Sequence, residues 1–231
     1  MLFGLVVIVA ACGDSTEKNA ATTSTNPANR TVSEPVPRSL GQVESGAEDA
    51  IDFARAGDRE RVIKAARNLR RAAGGSAAAD LRGAGAPQAE IALLQDRARR
   101  LERLASRGDF LQVSLLANQV SALMPPLYAR FKDPVPAAVL QLDYLDREAQ
   151  LRSLAGDQRT VRAAVGVLSS TWAKLRAQVI DAGGEKVAAS FTRHVRVMQR
   201  LARSSDRAAL QKEAVAGLEL VDQLEDAFRK Q

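Results

Sequence analysis

His194 and Met198 are the side chains whose types and spacing most directly invite chemistry. They lie four residues apart, so one face of a helix would present both. An imidazole and a thioether together suit copper, and either one could ligate haem iron. Sitting one turn apart, they could not serve as opposite axial ligands of a single haem. The chain has only this one histidine, and only one cysteine. A lone cysteine excludes an intramolecular disulfide framework and thiolate clusters for zinc or iron–sulfur. A lone histidine excludes multi-histidine metal sites. On a helical wheel His194 and Met198 share a stripe with Phe191, Val195, Leu201 and Ala202, which is a core face. The expectation is therefore a partly buried histidine with a local hydrogen bond, and a methionine that packs. No cofactor is expected, and a metal or haem held by His194 and Met198 is the alternative.

The carboxylates offer a second possibility. Asp143, Asp146 and Glu148 fall within LDYLDRE, and the two aspartates at i, i+3 could share a cation. A di-iron bundle would need Glu-x-x-His pairs, and Phe191 stands three residues before His194. Acidic residues near helix starts also complement the helix dipole. That is the reading adopted for this group, and for Glu44, Glu48, Asp49 and Asp52. There is no Gly-x-Ser-x-Gly elbow, phosphate loop or dinucleotide fingerprint. The chain is expected not to be an enzyme, with carboxylate-only chemistry of the glycosidase kind left open.

The third feature is basic. Arg193, Arg196, Arg200, Arg203 and Arg207 cluster on the arc opposite the apolar stripe. Arg97, Arg99, Arg100, Arg103 and Arg107 form a less regular group in the first half. The formal net charge is +6. Such a face could meet anionic lipid headgroups, a cell-wall polymer or an acidic envelope protein. No nucleic-acid reader motif accompanies it, and nucleic acid is not an expected partner.

At the N-terminus, Leu2 to Ala11 is an uncharged apolar run. Ten helical residues reach about 15 Å, half of a hydrocarbon core of about 30 Å, so this run cannot span a membrane. It has the length of the apolar core of a secretory signal. Val9-Ala10-Ala11-Cys12 resembles the lipobox of bacterial lipoproteins. The resemblance covers only about the first 14 residues. It implies cleavage before Cys12, diacylglycerol on the Cys12 thiol and acylation of the new amino terminus. One departure is that no Lys or Arg precedes the apolar run, which fits translation starting upstream of Met1. Gly13, rather than aspartate, follows the cysteine, and this points to the outer membrane, facing the periplasm, in a cell that has one. Residues 1–11 are thus read as a lipoprotein signal segment. Residues 12–42 are rich in Ser, Thr, Asn and Pro and are read as a disordered tether. About 30 such residues give an end-to-end distance of roughly 30 Å.

The elements that must position these side chains are helices. Aromatic residues make up 4% of the chain and alanine is abundant, a profile that favours helix over sheet. The fold class expected is all-α. About eight helices are predicted, over 43–56, 58–73, 88–107, 109–130, 136–155, 157–181, 185–204 and 206–229. They would pair as four antiparallel hairpins within a domain spanning 43–231. Gly57-Asp58, Gly108-Asp109, Gly156-Asp157 and Ser205-Asp206 recur about every 50 residues between apolar-periodic runs. Glycine ends helices in a left-handed conformation, and aspartate begins them by accepting orphan backbone N–H groups. Residues 74–86, 131–136 and 181–184 are read as separators. Pro125 and Pro126 should break the fourth helix after Met124. Laying Leu101–Phe131 on Met198–Phe228 matches Arg103, Leu104, Ala105, Asp109, Ala117, Leu123, Leu127 and Phe131 to identical residues. That echo suggests a duplicated two-hairpin unit, with half-repeats over 43–131 and 135–230. The folded part resembles no family known to us. The functional expectation is a lipid-anchored cell-envelope protein whose helical domain binds a partner, with a periplasmic metal- or haem-binding bundle as the alternative.

Overall fold

The computed structural model describes residues 32–204 and 206–230. The signal segment, the lipobox with Cys12 and most of the tether lie outside the described residues. Within them the fold is all-α. The ten helices are α1 (Arg38–Arg55), α2 (Arg59–Gly74), α3 (Ser76–Gly83), α4 (Gln88–Ala105) and α5 (Phe110–Ser121), then α6 (Met124–Tyr128), α7 (Ala137–Leu154), α8 (Gln158–Asp181), α9 (Glu185–Leu201) and α10 (Arg207–Arg229). Extended pairing among the described residues is limited to one parallel bridge between Pro35 and Lys132. No described helix is long and apolar enough to cross a membrane.

The aspartate turns behave as their chemistry dictates. The backbone N–H groups of Arg61, Gln112, Thr160 and Ala209 donate to Asp58, Asp109, Asp157 and Asp206, capping α2, α5, α8 and α10. Gly57, Gly108 and Gly156 supply the positive φ of three of these turns. Each cap reverses the chain, so successive long helices pack antiparallel.

Two four-helix bundles result. In the first, α1 packs on α2 and α5, and α4 bridges α2 and α5. In the second, α7 packs on α8 and α10, and α9 bridges α8 and α10. Each encloses its own apolar core. Leu40, Val43, Leu69, Leu94 and Leu101 belong to the first, and Val139, Leu168, Trp172, Phe191 and Leu224 to the second. The bundles join where α5 and α6 lean on α7.

Three boundaries differ from expectation. Residues 38–42, read as tether, form the first turn of α1, because Leu40 and Val43 are wholly buried. Just before them, the Val32 N–H donates to the Arg130 carbonyl and the Lys132 N–H to the Glu34 carbonyl. The separator at 74–86 contains α3, whose Ala77, Ala78 and Leu81 are buried. The fourth predicted helix breaks at Ala122–Leu123, ahead of Met124. Pro125 has no N–H to give the Ser121 carbonyl, and its ring would crowd that carbonyl, so α5 ends at Ser121.

Candidate functional site

A cavity of about 390 Å³ opens between the two bundles. Its walls come from distant parts of the chain: Val36–Arg38, Gly41, Glu44 and Glu48 on one side, Tyr128, Asp133 and Val135 beneath, and α7 and α10 opposite. Glu44 and Glu48 are one turn apart on α1 and face the cavity together. Asp143 and Leu140 enter from α7, and Asp222, Glu225 and Arg229 from α10. The lining therefore holds six carboxylates, Glu44, Glu48, Asp133, Asp143, Asp222 and Glu225, against Arg38 and Arg229. That balance is opposite in sign to the chain's net +6.

The local bonding is uneven. The Tyr128 hydroxyl donates to Glu44 Oε2 at 2.5 Å. Arg147, behind the wall, donates to Asp143 at 2.9 Å and to Glu48 at 3.1 Å, tying the bundles together. Arg229 pairs with Glu225 at 2.8 Å. Among the described residues Glu44 has no cationic partner. Burial, and then the neighbouring Glu225, Asp143 and Asp133, push its carboxyl up to about 7, despite the opposing Tyr128 hydrogen bond. Glu48 is pushed up to about 7 by burial, against the pull of Arg147. Its side chain stays 38% exposed, so water screens it, and Glu44 carries the stronger argument. Burial pushes the Tyr128 phenol up, and the Glu44 charge pushes it further. Burial also raises Glu225, although Arg229 opposes the shift. A mainly polar hollow with one tyrosine and convergent, perturbed carboxylates can accept a cationic group.

His194 is elsewhere, inside the second bundle and 2% exposed. Its partners are long-range rather than local. Nε2 lies 3.0 Å from Asp146 Oδ1 on α7 and Nδ1 lies 3.0 Å from Glu213 Oε1 on α10, so the protonated ring can donate to both. Burial pulls the imidazole down, but the hydrogen bonds and charges of Asp146 and Glu213 outweigh it and raise it. Asp146 is wholly buried. Burial raises its carboxyl, and His194 opposes that shift. Both ring nitrogens of His194 thus face carboxylates. Met198 is wholly buried in the same core. No group of three or more His, Cys, Asp or Glu among the described residues is arranged to hold a metal ion.

Of the acidic residues read as helix-start charges, Glu44, Glu48 and Asp143 meet in the cavity. Asp146 turns instead to His194. Glu148 is buried between the bundles, where it accepts from Asn118 Nδ2 at 2.9 Å and from Arg152 at 2.7 Å. Sequence reasoning missed Tyr128, Asp133, Asp222 and Glu225. One signal was available on α7: its apolar residues Val139, Leu142, Leu145 and Leu151 occur around most of the helix. Such a helix is covered on several sides, and its acids cannot all be solvated.

Arg193, Arg196, Arg200 and Arg203 are exposed on α9 and its C-terminal turn. Arg207 begins α10, and its guanidinium lies over Gly156. In the first bundle Arg97 donates to the Gln119 carbonyl, and Arg99 and Arg100 pair with Asp96. Compared with known family models, curated proteins and solved structures, the chain has no match.

Proposed function

We propose that this is a lipid-anchored cell-envelope protein, exported and held at the membrane through Cys12, whose helical domain binds a cationic partner without catalysis. The observation that carries the binding half is the acidic cavity between the bundles, set in a chain of opposite net charge. Carboxylates gathered against their mutual repulsion cost stability, and a bound ammonium or guanidinium would offset that cost. A volume of about 390 Å³ suits a small ligand or a single side chain of a larger partner. The lipobox-like Val9-Ala10-Ala11-Cys12 supports the anchor, and a tether of some 20 residues before Val32 would leave the cavity free of the membrane surface.

Two experiments test the two halves. Spermidine, as a linear polycation, is titrated calorimetrically onto the full chain carrying Cys12→Ser. Saturable binding that weakens at least tenfold in Glu44→Gln/Asp143→Asn supports the cavity. No binding, or equal binding to that variant, overturns it. For the anchor, membrane fractionation with labelled fatty acid compares Cys12 with Cys12→Ser. The wild type should carry label and pellet with membranes, and the variant should lose the label.

A further inference from the structure

The second bundle carries a surface unlike the cavity. Between Gln158 and Arg203 the basic residues are Arg159, Arg162, Lys174, Arg176, Lys186, Arg193, Arg196, Arg200 and Arg203, and the acids are Asp181 and Glu185, both beside the α8–α9 turn. All nine basic side chains are exposed. None of them forms an ion pair among the described residues; on the other two helices of this bundle Arg147, Arg152 and Arg229 do, while Arg207 and Lys212 do not.

Their placement is one-sided. At about 100° per residue, Lys186, Arg193, Arg196, Arg200 and Arg203 occupy one arc of α9. That arc lies just outside the edge that meets α8, where Thr192 receives the Trp172 indole N–H and Gln199 donates to Ser169. Arg159 and Arg162 occupy the matching outer arc of α8. The Gln158 side chain donates to the Ala202 carbonyl, which sets the start of α8 against the end of α9. Between the arginines the exposed positions are small: Gly166, Ser170, Ala173, Ala177 and Ala189. The guanidinium groups therefore stand above a flat floor about 25 Å long, the length of α9. The cavity is lined by α7 and α10, the other side of the same bundle, so positive and negative charge are segregated across it.

We propose that the outer face of the α8–α9 hairpin docks on a bilayer surface rich in anionic phospholipid. Long, flat and unpaired, it fits a planar array of phosphates rather than a single ligand. Guanidinium forks bind phosphate oxygens in pairs. Docking in this sense turns the acidic cavity away from the membrane, where a like-charged surface would otherwise repel it. The proposal depends neither on the lipid anchor nor on occupancy of the cavity.

The test uses the full chain carrying Cys12→Ser, floated with vesicles of phosphatidylcholine alone or mixed with phosphatidylglycerol. The expected result is strong association with the mixed vesicles, weak association with the neutral ones, and loss of the difference at high salt. Each arginine at an anionic surface strengthens association about fivefold. Arg196→Glu/Arg200→Glu/Arg203→Glu should therefore cost on the order of a hundredfold or more. Arg55→Glu/Lys64→Glu/Arg71→Glu makes the same charge change on the first bundle and should cost far less. Circular dichroism confirms that both variants stay folded. Equal flotation with both vesicle types, or equal loss in the two variants, overturns the proposal. So does a preference for duplex DNA or soluble polyphosphate that abolishes vesicle binding in competition.

Discussion

Gly217 has no room for a methyl group. A Cβ there would lie 2.5 Å from Asp146 Oδ2 and 2.6 Å from His194 Cε1 and Nε2. Neither neighbour can retreat, since each is buried and hydrogen-bonded to the other. Gly217→Ala is expected to destabilise the fold by about 1–3 kcal/mol in urea unfolding. Removing the imidazole is worse, because Asp146 is left as a buried carboxylate without a counter-charge. His194→Leu should cost about 3–5 kcal/mol, and Asp146→Leu/His194→Leu much less than the single change. The sign with pH follows from the raised His194 value. Its contribution is complete below the ordinary histidine range and fades as pH rises through the folded-state value. Glu44 acts in the same direction at lower pH. The folded chain keeps a proton that the unfolded chain loses above 4.5, so stability falls as pH rises from 4.5 to about 7. Glu44→Gln should flatten that slope in urea melts across the same window. Burial of His194 was legible from the apolar stripe it shares with Phe191 and Val195. Its partners were not, because Asp146 and Glu213 lie on other helices and nothing in their local sequence points to a histidine.

At the scale of elements, the aspartate turns were legible because their chemistry is local. Each cap bonds a backbone N–H three residues ahead, so sequence alone contains both partners. The break at Pro125 belongs to the same class, although α5 ends at Ser121, ahead of the expected Met124. The short helix α3 was not legible, since a Gly/Ala-rich stretch suits a loop until Leu81 finds a core to enter. Glycine substitutions separate these cases. Gly156 has φ of 77°, and Gly156→Ala should cost about 1–2 kcal/mol in thermal or urea unfolding. Gly166 sits within α8 with open space where a Cβ would go. Gly166→Ala should stabilise by about 0.5–1 kcal/mol by the same measurement.

The cavity belongs to the whole molecule, which is why it was hidden. Glu44 on α1 and Asp143 on α7 come from different bundles and share the cavity only because α7 seats against α5 and α6. Read singly, each is an ordinary acidic residue near a helix start. Their assembly makes a further outcome measurable. A cation in the cavity would lower Glu44 from about 7, so spermidine binding at neutral pH should release protons. Calorimetry in two buffers of different ionisation enthalpy should then give different apparent heats, and Glu44→Gln should remove the difference.

Val36, Pro37 and Arg38, where the chain enters the fold, also form one wall of this cavity. That entry segment is fastened by the Val32 and Lys132 backbone bonds, while both bundles are closed by whole helices. Tension drawn along the N-terminal segment would therefore reach those few bonds before any helix yields. The wall would peel away and the cavity would open while both cores stayed intact. Were the chain held through Cys12 as proposed above, grip on an occupant would weaken under load on that anchor.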